Sequence, residues 1–253
     1  MSADWPFYLL LAGVGCAAGF VDAVAGGGGL LTVPALLWAG LTPAEALATN
    51  KLQSSCGTAL AVVSYSRAGL LRERGVWVES AVTFTAALAG AWAVTRADPA
   101  WLRLAIPWLL LAIVALLWLR PALGAERRAA RMRPAVFAAL CGTVLGFYDG
   151  FFGPGAGTFW TMAFILLLGL DLRAATAHTK AVNLASNLAA LAVFLAAGHV
   201  RFDIGAAMAA GQLAGARLGA RLVITRGTRF IRPVFLTVAL ALAAKLLWAG
   251  LRG

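Results

Sequence analysis

Apolar runs about 20 residues long, separated by short charged or glycine-rich breaks, constrain this chain more than any other feature. A bilayer core about 30 Å thick takes about 20 helical residues, because backbone N–H and C=O groups cannot be left unpaired in hydrocarbon. The segments predicted to be helical are Trp5 to Val24, Leu30 to Ala39, Pro43 to Ser66, Val76 to Thr95, Ala100 to Leu119, Pro134 to Phe152, Thr158 to Leu168, Leu172 to Ala197, Ile204 to Thr225 and Phe230 to Leu251. Those starting at Leu30 and Thr158 are too short to cross alone, and each follows a glycine-rich break, so each reads as a half-helix. Composition agrees: 62% of residues are hydrophobic and 12% charged, against about 45–50% and about 25% in soluble domains. A soluble enzyme is excluded. The net charge of +11 would suggest nucleic acid in a polar chain, but here the charges fall between apolar runs, and no nucleic-acid partner is expected.

The sequence repeats itself. Gly19-Phe20-Val21-Asp22, running into Gly26 to Gly29, matches Gly146-Phe147-Tyr148-Asp149, running into Gly153 to Gly157, at an offset of 127. Beyond the glycines the offset becomes 129 and pairs Gly40 with Gly169, Lys51 with Lys180, Ser54 with Asn183, Thr58 with Asn187 and Gly69 with Gly198. The expected organisation is a first transmembrane repeat over 1–119, a basic linker over 120–133 and a second repeat over 134–253. The fold class is an all-α polytopic membrane protein with about eight transmembrane segments in two groups of four. Ala23-Val24-Ala25 imitates a signal-peptidase site, but Asp4 precedes it without any Lys or Arg and the pattern recurs mid-chain, so cleavage is not expected. Cys16, Cys56 and Cys141 lie in apolar helices without a CxxC or a nearby histidine and read as small hydrophobes.

Arginine placement bears on orientation. If each glycine-broken segment crosses the membrane, the copies are parallel and the loop and end arginines divide 10 to 7. If each turns back on itself, the copies are inverted and the same residues divide 13 to 4, leaving Arg96, Arg103, Arg201 and Arg252 on the sparse side. Positive-inside bias favours the inverted arrangement, with both termini outside the cytoplasm and the linker on the cytoplasmic side of an inner membrane. Arg127, Arg128, Arg131 and Arg133 of that linker suit anionic headgroups of the lipid bilayer.

Duplicated membrane folds place substrate where the copies meet, often at interrupted helices. Gly26, Gly27, Gly28 and Gly29, and Gly153, Gly155 and Gly157, each precede a short helix. Consecutive N–H groups turned toward one point, plus the helix dipole, favour an anion; tight packing of small residues is the competing explanation. Lys51 and Lys180 lie about a third of the way into apolar segments. A lysine there costs about 2.5–3.5 kcal/mol on insertion scales and needs a partner or a wet cavity, unless it snorkels. Asn50, Ser54 and Thr58 accompany the first, and His178, Thr179, Asn183 and Asn187 the second, with steps of three and four that align each trio of Lys51, Ser54, Thr58 and Lys180, Asn183, Asn187 on one helix face. Asp22 and Asp149 end the helices leading into the glycines and are candidates for charge balance or proton coupling. Thr42-Pro43-Ala44-Glu45 and Asp171 are helix caps, and Gly211, Gly215 and Gly219, with Gln212 between them, make a packing face.

These paired motifs, with Thr49-Asn50-Lys51-Leu52-Gln53 and Thr179-Lys180-Ala181-Val182-Asn183, resemble the TauE/SafE family of sulfite exporters over nearly the whole chain. The resemblance implies a cytoplasmic-membrane transporter of small sulfur-containing anions such as sulfite and organosulfonates. A passive anion channel and an uptake permease for another small organic anion are the alternatives. No cofactor or metal is implied. With His178 and His199 as its only histidines, and no G-x-S-x-G or H-E-x-x-H, the chain does not read as an enzyme. Inverted-repeat transporters also lead one to expect alternating access by one copy moving against the other.

Overall fold

The computed structural model describes residues 5–71, 75–98 and 129–227, together with Phe230 and Pro233. Among them are eight helices and no strand: α1 (Trp5–Ala25), α2 (Gly29–Trp38), α3 (Pro43–Arg67), α4 (Gly75–Val94), α5 (Pro134–Phe151), α6 (Ala156–Leu167), α7 (Leu172–Ala196) and α8 (Phe202–Arg226). Eight of the ten predicted segments are therefore found close to their predicted ends. The other two, Ala100 to Leu119 and Phe230 to Leu251, lie outside the described residues apart from Phe230 and Pro233. By length and composition α1, α4, α5 and α7 can each cross a membrane, while α2 and α6 have only 10 and 12 residues.

Local chemistry sets the helix starts. Thr42 and Glu45 form a reciprocal capping box, with the Thr42 amide donating to Glu45 Oε2 at 2.9 Å and the Glu45 amide to Thr42 Oγ1 at 3.4 Å. Pro43 occupies the first turn, where its missing N–H is no loss. At the matching place in the second copy, Asp171 accepts from the Ala174 amide at 3.0 Å.

Each short helix folds back on the one before it. Leu36 of α2 packs in one cluster with Leu11, Phe7 and Tyr8 near the start of α1, while Gly28 lies against Asp22 and Ala18. Correspondingly, Phe164 of α6 lies 5.1 Å, ring to ring, from Phe137 near the start of α5, and Phe159 lies 5.5 Å from Tyr148 near its end. Both pairs are helical hairpins with glycine tips.

The hairpins are held by the opposite half of the sequence. α1 runs along α8: a Cβ on Gly211 would meet the Ala12 carbonyl oxygen at 1.8 Å, and one on Gly215 the Cys16 oxygen at 1.9 Å. α5 runs along α4 in the same manner, a Cβ on Gly150 falling 2.1 Å from the Ala87 oxygen and one on Gly90 2.2 Å from the Phe147 oxygen. In both seams residue numbers rise together, Gly142, Gly146 and Gly150 lying against Glu79, Thr83 and Ala87 in turn, so the packed helices are parallel. Such separations exclude any side chain and let two backbones touch, the close approach that stabilises apolar helix pairs where burial from water supplies nothing. Between the seams, α3 packs on α7 and α8, and α7 on α3 and α4. Leu47 and Ala48 of α3 share a cluster with Ala190 and Phe194 of α7, while Ala61 and Tyr65 cluster with Leu172 and Ala175, so these two central helices are antiparallel. Exchanging the halves leaves this pattern of partners unchanged.

Candidate functional site

The two glycine tips meet at the centre of the molecule. Gly26 has φ +76° and Gly155 φ +81°, a region open to glycine at little cost. A Cβ on Gly26 would lie 2.6 Å from the Gly157 carbonyl carbon, and one on Gly157 would lie 2.5 Å from the Gly26 oxygen and 2.7 Å from Asn183 Nδ2. Thr158 Oγ1 donates to the Ala25 carbonyl at 3.2 Å, tying one tip to the other. Neither α2 nor α6 has a side-chain cap, so the positive ends of both short helices are left at this junction.

α3 and α7 bring their lysines beside the tips, and each lysine reaches an aspartate of the other half. Lys51 Nζ lies 2.6 Å from Asp149 Oδ1, donates to the Asp149 carbonyl at 2.6 Å and to Asn187 Oδ1 at 3.1 Å. Lys180 Nζ lies 3.0 Å from Asp22 Oδ2. All four charges are withdrawn from solvent: the side chains of Lys51 and Lys180 are 2% and 0% exposed, those of Asp149 and Asp22 4% and 13%. Two cations and two anions leave the centre formally neutral. Each charge is thus compensated in the way burial demands, through a partner in the other half.

Hydroxyls and amides complete the surroundings. Thr32 of α2 donates to Asn50 Oδ1, which also accepts from Gln53 Nε2 at 3.0 Å. The counterpart hydroxyls in the second half, Thr161 and Thr179, lie 3.0 Å apart. Ser186 donates to Asp149 Oδ2, and Thr58 to Asp22 Oδ2 at 3.5 Å.

A cavity of about 20 Å³ opens at the meeting point of the tips. That is room for about one water molecule. Its walls include Asp22, Gly26, Gly29, Asn50, Lys51 and Ser54 from the first half, and Asp149, Gly153, Gly155, Gly157, Asn183 and Asn187 from the second. The remaining predicted site residues stand apart from the wall. Gly27 and Gly28 form the outer turn of the first tip, Gly28 against Asp22 Cβ. Thr179 is turned to Thr161, and Lys180 stands behind Asp22. His178 Nδ1 hydrogen-bonds the Ala174 carbonyl at 2.9 Å, and its ring lies 5.7 Å from that of Phe164, within the α6–α7 packing.

Four polar residues join the site without having been singled out in the sequence: Thr32, Thr161, Thr158 and Ser186. Thr32 and Thr161 carry a usable signal, since they occupy the same place in both half-helices at the repeat offset of 129. Ser186 carries none, because its counterpart is Gly57.

Comparison with known proteins covers most of the chain. The family model described as Sulfite exporter TauE/SafE matches residues 11–246. A probable membrane transporter protein of Escherichia coli K12, YfcA, is 44% identical over 231 residues, covering 91% of this chain and 86% of that protein. A probable membrane transporter protein of Haemophilus influenzae is 41% identical over 235 residues, 93% of this chain and 92% of the relative. Another, ORF9 of a Sinorhizobium species, is 40% identical over 230 residues, 91% and 88% of the two chains. No solved structure matches. With the match running through both glycine tips and both lysines, the chain belongs to the TauE/SafE sulfite exporter family.

Proposed function

We propose that this membrane transporter exports small sulfur-containing oxyanions, such as sulfite or organosulfonates, and holds them where the two glycine tips meet. The observation that carries this reading is the crossing of two uncapped half-helix starts beside two buried lysines. Amides of Gly29, Gly155 and Gly157 would face the anion's oxygens, Asn50, Ser54, Asn183 and Asn187 would add hydrogen bonds, and the lysines would supply charge, while the Gly26 and Gly153 amides are held by the Asp22 and Tyr148 carbonyls at 2.9 and 3.3 Å. The small cavity favours a carrier over a standing pore: with room for about one water molecule, it would have to widen to take a sulfite. Efflux of a monoanion from a negative-inside cell is already driven by about 2.3 kcal/mol per 100 mV, so export requires no coupling ion.

The same reading places the chain in the cytoplasmic membrane as two inverted repeats, 1–119 and 134–253, with the basic linker inside. Its supports are the two hairpins that return toward their starting side, the antiparallel α3 and α7, and the 13-to-4 division of arginines. Trp5, Trp38, Trp77 and Trp92, all exposed near helix ends, suit the two interfacial belts of a bilayer.

Proteoliposomes loaded with labelled sulfite test the proposal. Saturable counterflow is expected; unsaturable conductive flux would establish a channel instead. A thermal-shift series with sulfite, sulfate, thiosulfate, sulfoacetate and simple carboxylates identifies the substrate class, since a ligand that binds only the folded state raises the transition temperature. Stabilisation by carboxylates alone would overturn the sulfur-anion assignment.

A further inference from the structure

The two ion pairs occupy equivalent places in the two copies, yet they are built differently. Lys51 has three acceptors, Asp149 Oδ1, the Asp149 carbonyl and Asn187 Oδ1, one for each of its three N–H groups. Asp149 spends its second oxygen on the Ser186 hydroxyl. That pair is saturated. Lys180 is fully buried and lies 3.0 Å from Asp22 Oδ2, but the approach does not have hydrogen-bond geometry, and no acceptor for its N–H groups occurs among the described residues. Asp22 has only the long contact to Thr58, and it is the most exposed of the four charged groups. One turn beyond Lys180, Asn183 lines the cavity with an Oδ1 that likewise has no partner among the described residues.

The sequence explains the difference. Asn187 corresponds to Thr58, a shorter side chain, and Ser186 corresponds to Gly57, which has no hydroxyl at all. The space that a side chain at position 57 would take is filled by Gln212 of α8: a Cβ there would lie 2.4 Å from Gln212 Cγ. At the counterpart of Gln212 stands the shorter Thr83. At one ion pair a serine and a threonine thus stand where the other has a glycine and a glutamine, and only the first combination gives its aspartate a serine hydroxyl, Asp22 keeping the long Thr58 contact alone.

We infer that the Lys180–Asp22 pair is the one that opens to the anion, the oxyanion taking the place of the Asp22 carboxylate on Lys180, while Lys51–Asp149 stays closed as a fixed tie between the halves. This rests on the proposed anion site and deepens it. An oxyanion brings the acceptors that Lys180 lacks, whereas at Lys51 it would have to displace three that are already in place. The wall position of Asp22, in front of Lys180, makes that carboxylate the group the anion competes with.

Sulfite binding to the purified full-length protein, measured by isothermal titration and by thermal shift, tests the assignment. Asp22→Asn removes the competitor and is expected to tighten sulfite binding about tenfold, the scale of one hydrogen bond to a charged group. Asp149→Asn is expected to lower the unfolding temperature without tightening binding. Because charge variants can fail to fold, a second pair transfers the copy difference itself. Gly57→Ser with Gln212→Thr gives Asp22 a serine hydroxyl to match the one that Asp149 has and should weaken sulfite binding several-fold at unchanged stability. Equal tightening in Asp22→Asn and Asp149→Asn, or unchanged binding in Gly57→Ser/Gln212→Thr, overturns the inference while leaving the anion site standing. Absence of any anion-dependent shift in the wild-type protein overturns the anion site and this inference together.

Discussion

Removing either partner of the Lys51–Asp149 pair should destabilise the protein more than removing any other single side chain of the site. Lys51→Met keeps most of the aliphatic stem but strips Asp149 of its cation and frees the Asp149 carbonyl and Asn187 Oδ1 at the same time. With the Asp149 side chain only 4% exposed, water cannot replace what is lost. Breaking a buried pair by deleting one partner costs about 3–5 kcal/mol, because the remaining charge is uncompensated. Asp149→Asn, nearly isosteric, should cost a similar amount by stranding the ammonium. The double variant strands neither, so its cost should fall short of the sum by about 2–3 kcal/mol. Neutral side-chain hydrogen bonds inside membranes average only about 0.6 kcal/mol in such cycles. A coupling several times larger therefore identifies an ion pair. Unfolding of the purified protein in mixed micelles with increasing dodecyl sulfate, followed by circular dichroism, supplies all four corners of the cycle. Additivity of the two single costs to within about 0.5 kcal/mol would refute the argument that these groups hold one another.

Five further outcomes follow. Lys180→Met should cost at least about 1 kcal/mol less than Lys51→Met in that assay, because Lys180 gives up no well-formed hydrogen bond. Gly157→Ala places a methyl 2.5 Å from the Gly26 oxygen and should lower stability by about 1–3 kcal/mol with loss of sulfite counterflow. Gly13→Ala, with nothing within 4 Å of the new carbon, should instead raise stability by roughly 0.5–1 kcal/mol and leave counterflow intact. Thr42→Ala removes the capping box far from the cavity and should cost about 1 kcal/mol with unchanged transport. A phosphatase fused to the C-terminus should be active and a fluorescent protein there dark; the reverse pattern would rule out the inverted placement.

The parts of this structure most legible in the sequence are those fixed by local chemistry. Thr42, Pro43 and Glu45 announce the start of α3, and Asp171 that of α7, by side chains that bond to their own helix. The glycine tips are legible because they occur twice. What the sequence leaves open is the pairing of the charges. Both copies carry an aspartate and a lysine, and spacing alone does not decide whether Lys51 meets Asp22 or Asp149. That choice is made by packing between helices more than 90 residues apart, with 98 residues separating Lys51 from Asp149. Thr32 and Thr161 are legible in principle through the repeat offset, but threonine in an apolar run is equally at home in plain packing, so nothing local gives it a polar role.

Pairing across the halves also bears on how such a molecule could move. Alternating access in a duplicated transporter suggests one sequence half rocking against the other. Here that motion would have to part α1 from α8 and α4 from α5, since each of these seams joins a helix of one half to a helix of the other. The seams are also where backbones approach most closely, with added Cβ atoms falling 1.8 to 2.2 Å from carbonyl oxygens at Gly211, Gly215, Gly150 and Gly90. Close-packed interfaces of that kind hold or separate and do not slide by small amounts, because one side chain's width of displacement loses the dispersion contact altogether. The units that remain intact are therefore mixed: α1 with α8 on one side, α4 with α5 on the other, each carrying one glycine tip and one aspartate. Between them lie the antiparallel α3 and α7, whose lysines bridge to the tips through pairs of unequal strength. On the proposed anion site, a rearrangement that admits an anion at the junction would meet least resistance at the Asp22–Lys180 bridge and along the face where α1 meets α7.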